Sequence, residues 1–218
     1  MKCNYLILLF MVLIVQATGQ TNGDKDAAYT KTITQRADKI IVPLAIADSA
    51  IANKVRNIIV QQYRNLNDIY TERDTKLTAA KELKETNKML SDEQIKNTAN
   101  EVNARLYILH FAYISKLMLY LTLQQLEQVK DGMTYGVLPL TYKAYCDMVL
   151  NLTDEQKLQI KVWLTEAREL AMDAGSSDEK HKWFGKYKGR INNYLSQAGY
   201  NMKLEGEEWQ KRIKSTTK

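Results

Sequence analysis

Apolar residues recur along this chain at intervals of three and four. From Asp48 onward, Ile51, Val55, Ile58, Ile59, Leu66 and Ile69 fall on one helical face. From Ser91, the set is Ile95, Ala99, Val102, Leu106, Leu109 and Tyr113. From Thr153, it is Ile160, Trp163, Leu164, Ala167 and Leu170. No stretch alternates as a half-buried strand would. Two prolines and nine glycines in 218 residues leave little punctuation, which suits long helices better than many short strands. The pattern predicts an all-α fold, a single helical bundle of about seven or eight helices.

Three expected helix starts share the form L-[ST]-x-x-Q: Leu90-Ser91 with Gln94, Leu121-Thr122 with Gln125, and Leu152-Thr153 with Gln156, each 31 positions after the last. The hydroxyl can accept from a free N–H of the first turn, and the glutamine can reach back to the N–H of the cap residue. Ser176 and Glu179 supply a fourth such box, so helices are predicted to start near Ser91, Thr122, Thr153 and Ser177. Asp131-Gly132 and Ala174-Gly175 read as glycine stops. Between them, the run Gly132–Leu140, with two glycines and Pro139, reads as a non-helical connection carrying Tyr135.

The first residues read as an export signal. Lys2 precedes an apolar run from Tyr5 to Val15, and Ala17-Thr18-Gly19 has small residues where signal peptidase needs them. Cleavage is expected before Gln20, giving a signal peptide over residues 1–19 and one helical domain over 20–218, located in the periplasm or outside the cell. The apolar run is shorter than the roughly 20 residues of a membrane span, so no span is expected after cleavage. Cys3 lies inside the signal, which leaves Cys146 as the one cysteine of the mature chain and no internal disulfide. Cys146 reads as a small apolar group rather than a nucleophile.

A net charge of +6 with acidic and basic residues interspersed gives no basic block to track a phosphate backbone, so nucleic acid is not an expected partner. The two histidines, His110 and His181, have no metal-ligand spacing, and neither a metal nor another cofactor is expected. His110 sits in an apolar helical run and reads as a satisfied core histidine.

The chemistry-bearing segment is Met172–Tyr200. On a helix, Trp183, Phe184, Tyr187, Ile191, Tyr194 and Leu195 form one stripe, mostly core. His181, Gly185, Lys188, Gly189 and Asn192 form a second. Two helical glycines four apart each cost about 1 kcal/mol relative to alanine, so a helix or a ligand is expected to approach closely there. Lys182, Lys186, Arg190 and Asn193 form a third face. Ring faces for stacking beside fixed donors suit sugars. The candidate ligand-binding residues are therefore Tyr135, Trp183, Lys186, Arg190 and Asn193. If the helices on either side of Gly175 form a hairpin, Asp173 and His181 lie at one end, and they are the candidate acid–base pair. Thirteen tyrosines against three phenylalanines also favour half-wet, sugar-contacting surfaces.

Three stretches resemble an uncharacterised secreted bacterial family: DGMTYGVLPLTYKAY at 131–145, the residues from Leu152 to Glu169, and MDAG with WFGKYKGRINNYL between 172 and 195. That family carries a domain-of-unknown-function label, is described as sugar-binding, and is associated with polysaccharide-utilisation systems of Bacteroidetes-type bacteria. The resemblance implies an exported protein working near complex glycans. The expected function is a secreted carbohydrate-binding accessory protein of a glycan-utilisation system, with an oligosaccharide or polysaccharide as its partner. Two alternatives stand beside it: a lyase or hydrolase acting on acidic plant-type oligosaccharides, and a periplasmic chaperone-like bundle of the LTxxQ type, which the L-[ST]-x-x-Q boxes resemble.

Overall fold

A computed structural model describes residues 22–216, so the expected signal segment and its cleavage point lie outside the described residues. The described residues form eight helices and no strand: α1 (Asn22–Ile41), α2 (Ser49–Glu82), α3 (Lys88–Met118), α4 (Leu123–Met133), α5 (Val137–Met148), α6 (Asp154–Met172), α7 (Ser177–Gln197) and α8 (Met202–Thr216). A 3-10 turn, Val42–Leu44, links α1 to the loop before α2.

The helix starts follow from local chemistry. Asp48 caps α2, its carboxylate accepting from the N–H groups of Ala50 and Ile51. Thr122 and Thr153 form full capping boxes with Gln125 and Gln156. Gln125 does more, donating also to the Leu44 carbonyl at 3.0 Å and so tying α4 to the 3-10 turn. Ser176 caps α7 through the N–H of Glu179, but the Glu179 carboxylate turns back one residue further, to the N–H of Gly175.

Three local expectations are corrected. Ser91 does not start a helix. Asn87 caps α3 four residues earlier, and Ser91 is buried inside it. Gly132 does not stop α4, which continues to Met133. Its missing side chain instead lets Ile40 of α1 approach, since a Cβ there would lie 3.0 Å from Ile40 Cγ1. The Gly132–Leu140 connection shrinks to Thr134, Tyr135 and Gly136. Tyr135 and Gly136 take positive φ of 60° and 65°, and α5 begins at Val137. Pro139 fits because the first turn of a helix has N–H groups without intrahelical acceptors.

Two apolar cores result. One joins α1, α2, α3 and α4 through Ala37, Val55, Ile59, Leu117 and Val129. The other joins α5, α6 and α7 through Tyr145, Leu164, Phe184, Ile191 and Leu195. Consecutive residues of α6 serve different cores: Ala171 belongs to the second and Met172 to the first. The end of α6 is therefore the hinge point of the packing. Lys180, itself buried, donates to the carbonyls of both Ala171 and Met172 at 2.8 and 3.0 Å, satisfying acceptors that the last turn of a helix leaves open.

The stripe of α3 is divided. Val102 and Tyr113 are buried, whereas Ile95, Ala99 and Leu106 line an open groove, and Tyr107, Ile108 and Phe111 are exposed. Among the described residues, no helix is long and apolar enough to cross a membrane.

Candidate functional site

The groove has a volume of about 650 Å³ and runs between α2 and α3 to the end of α6 and the start of α7. One stretch of its wall is apolar. At the α6–α7 turn it becomes polar, where His110, Glu169, Asp173, Tyr70, Arg73 and Trp183 come together.

His110 holds the centre of this cluster. Its Nδ1 donates to Asp173 Oδ2 at 2.7 Å, and its Nε2 lies 3.5 Å from Glu169 Oε2. The hydrogen bond to Asp173, and then the Glu169 carboxylate facing Nε2, raise the imidazole from its ordinary 6.5 to about 9, so the ring is an imidazolium at neutral pH. Burial would raise the Glu169 carboxyl, but His110, Lys130 and Arg168 outweigh it and hold that group at about 2. Behind Glu169, Arg168 is only 3% exposed and spans Asp131 at 2.8 Å, Glu127 at 2.5 Å and Glu169 at 3.1 Å. The charges are thus paired in a fixed network rather than solvated one by one.

Asp173 is also held through its backbone. Tyr70 Oη donates to the Asp173 carbonyl at 2.7 Å, and the Tyr70 ring fills the space over Gly175. Burial pushes the Tyr70 phenol up to about 12, which keeps it a donor. Arg73 stacks on the Tyr70 ring at 4.4 Å and reaches Glu179 at 3.6 Å. Oδ1 of Asp173 is buried without a hydrogen-bond partner among the described residues.

The candidate residues are distributed over adjoining surfaces. Asp173 and Trp183 line the groove. Trp183 and Lys186 line a shallower pocket of about 380 Å³ with Arg73, Glu179 and Lys182. Lys186, Arg190 and Asn193 line a third, of about 550 Å³, with Trp163, Gly189 and Tyr194. Lys186 Nζ lies 5.2 Å from the Trp183 ring centre, and Arg190 covers Trp163 at 4.5 Å while pairing with Glu166 at 3.6 Å. Tyr70, Arg73 and Trp183 are shared by the first two and Lys186 by the last two, so the three pockets form one continuous surface.

Tyr135 and His181 lie apart from it. They stack on each other, with ring centres 5.7 Å apart and planes 17° from parallel. The hydrogen bond expected between Asp173 and His181 is made by Asp173 to His110 instead. Among the described residues, no helix crosses closely at Gly185 and Gly189 as expected, because a Cβ at either position would meet none of their atoms within 4 Å. Phe184, Ile191 and Leu195 are core, as the aromatic stripe implied.

Sequence reasoning placed His110 in the core and gave no part to Tyr70, Arg73 or Arg168. The one available signal was the histidine itself, a titratable ring in an otherwise apolar turn. Among the described residues, no group of three or more His, Cys, Asp and Glu is arranged to hold a metal ion.

A general base or acid needs one ring nitrogen facing the substrate, and both nitrogens of His110 face carboxylates. What remains for a ligand is an indole ring, several cations and a buried carboxylate oxygen that lacks a donor among the described residues. A comparison with curated proteins gives no match. The model of a family described as a protein of unknown function, DUF3826, matches residues 30–215, and the chain belongs to that family.

Proposed function

We propose that this protein binds carbohydrate without transforming it, as an exported accessory protein of a glycan-utilisation system. The observation that carries this reading is Trp183. Its indole is shared by the long groove and the basic pocket beside it, flanked by Lys182, Lys186 and Arg73. Sugars offer C–H faces to an aromatic ring and hydroxyls or carboxylates to such donors. The continuation through Lys186 to Arg190 and Asn193 gives room for more than one sugar unit.

The enzyme reading is weaker because Asp173 is hydrogen-bonded to His110, while His181, its expected partner, stacks on Tyr135. The chaperone reading rested on the L-[ST]-x-x-Q boxes. Those at Thr122 and Thr153 act as helix caps, which accounts for the pattern by itself.

A thermal-shift screen against pectic, hemicellulosic and host-glycan oligosaccharides tests the proposal, since a ligand that binds the native state raises its stability by mass action. A glycan that raises the melting temperature of the wild type but not of Trp183→Ala supports it. A panel that moves neither protein overturns it.

A further inference from the structure

The groove and the pocket beside it have different chemistries and share Tyr70, Arg73 and Trp183. Away from α6, the groove walls are apolar, formed by Leu77 of α2 and by Ile95, Val102 and Leu106 of α3. Across Trp183, the adjoining pocket adds Lys182 and Lys186 to Arg73, which is paired with Asp74 at 2.7 Å and with Glu179 at 3.6 Å, so the two lysines carry the charge that favours an anion. At the polar end of the groove, Asp173 Oδ1 is a buried acceptor that lacks a donor among the described residues. A volume of 650 Å³ is enough for a substantial ligand group, within the range of about 300–1,000 Å³ usual for such sites.

We infer that the ligand is an acidic sugar bearing an apolar substituent, an aryl or acyl group. The sugar lies at Trp183 and the substituent in the groove between α2 and α3. The inference rests on the proposed sugar-binding function and narrows it to a ligand class. A bare acidic sugar would use the cations and leave the long apolar wall in water. A purely apolar molecule would use the wall and leave the cations and the Asp173 acceptor unanswered. A substituted uronate uses all three. Its carboxylate meets Lys182 and Lys186, a hydroxyl donates to Asp173 Oδ1, and its apolar group displaces water from Leu77, Ile95 and Leu106.

Calorimetric titration of the full chain with para-nitrophenyl glucuronide and with methyl glucuronide tests this. The aryl compound is expected to bind about tenfold more tightly, because it alone buries an apolar group in the groove. Ala99 lines the same wall and is exposed, so Ala99→Trp fills the groove without entering the core. That variant is expected to lose the aryl advantage and to keep the wild-type affinity for methyl glucuronide and the wild-type melting temperature. Should it fold poorly, Ile95→Gln replaces it, weakening the same wall by polarity rather than bulk. Equal affinity for the two glucuronides overturns the inference and leaves the sugar-binding reading standing. An aryl advantage that survives both substitutions overturns the placement in the groove. Failure of both glucuronides to bind also overturns the inference. The sugar-binding reading falls with it only if the oligosaccharide panel is silent too.

Discussion

His110 Nδ1 lies 2.7 Å from Asp173 Oδ2, joining the middle of α3 to the residue that ends α6. Tyr70 of α2 reaches the backbone of the same residue. Asp173 is thus the point where the α2–α3 pair is fastened to the α6–α7 turn, through its side chain and its carbonyl together. The groove has that fastening in its wall at the α6–α7 turn, so the features that close the fold there also shape the candidate site.

This fastening predicts a dependence of stability on pH. The folded imidazole titrates at about 9 against an ordinary 6.5, so between those values the folded protein holds a proton that the unfolded chain has released. Stability from this group is complete below 6.5 and is lost as pH rises through about 9. Lys180 has the opposite sign. Burial lowers it from 10.5 to about 8, so stability from it rises with pH across that window. The comparison of wild type with His110→Gln isolates the histidine. Urea denaturation should show a gap of roughly 2–3 kcal/mol in mildly acidic buffer. The gap should narrow once pH passes the folded value. A gap that stays constant with pH would mean that the His110 charge contributes nothing.

The glycines give a second prediction. A Cβ at Gly175 would lie 2.7 Å from the Tyr70 ring, whose hydroxyl is already committed to Asp173. Gly175→Ala is therefore expected to cost about 1–3 kcal/mol by overpacking. Gly185 and Gly189 sit inside α7 with open space where a Cβ would go. Alanine at each should stabilise by about 0.5–1 kcal/mol, because glycine in a helix loses more conformational freedom on folding. Thermal denaturation of the three single variants separates the two classes by sign.

The caps give a third. Asn87 accepts from the Leu90 N–H and starts α3, so Asn87→Ala should cost about 1 kcal/mol. Ser91 is buried, its hydroxyl without a partner among the described residues, and Ser91→Ala should be neutral or stabilising, because it removes that unpartnered polar atom. Chemical denaturation in which Ser91→Ala proved the costlier change would return the cap to Ser91.

The helices were legible where one face of the pattern meets one core. The stripe of α2 buries Val55, Ile59, Leu66 and Ile69 as its spacing implies, and Thr122 and Thr153 cap as their boxes imply. The stripe of α3 was legible as a helix but not as a surface. Periodicity states which residues share a face, not whether another helix covers it, and Ile95, Ala99 and Leu106 line a groove instead. The site was half legible for the same reason. Asp173 was singled out as a candidate from its place at a turn, but the residue it bonds, His110, lies 63 positions away on a helix whose neighbours the spacing does not name. Glycine had three indistinguishable signals in sequence. Only packing tells the contact at Gly132, the ring over Gly175 and the open face at Gly185 apart.

The continuity of the three pockets gives the last prediction, a dependence of binding on ligand length. Trp183 belongs to the groove and to the basic pocket, and Lys186 to the basic pocket and to the third. Arg190 and Asn193 belong to the third alone among these surfaces, and Arg190 is already spread over Trp163 and paired with Glu166. A short acidic oligosaccharide centred on Trp183 should therefore lose most of its affinity in Trp183→Ala. It should lose about tenfold in Lys186→Ala, the scale of one charge-assisted contact. It should be indifferent to Arg190→Ala and Asn193→Ala. A longer oligosaccharide that reaches the third pocket should respond to all four substitutions. Arg190 and Asn193 are exposed, so their removal should leave the melting temperature nearly unchanged and the affinity loss can be read as contact rather than unfolding. Titration of the four variants with a length series decides it. A long ligand unaffected by Arg190→Ala and Asn193→Ala would confine the site to the groove and the basic pocket. A short ligand that depended on them would place the sugar on the third pocket, away from Trp183.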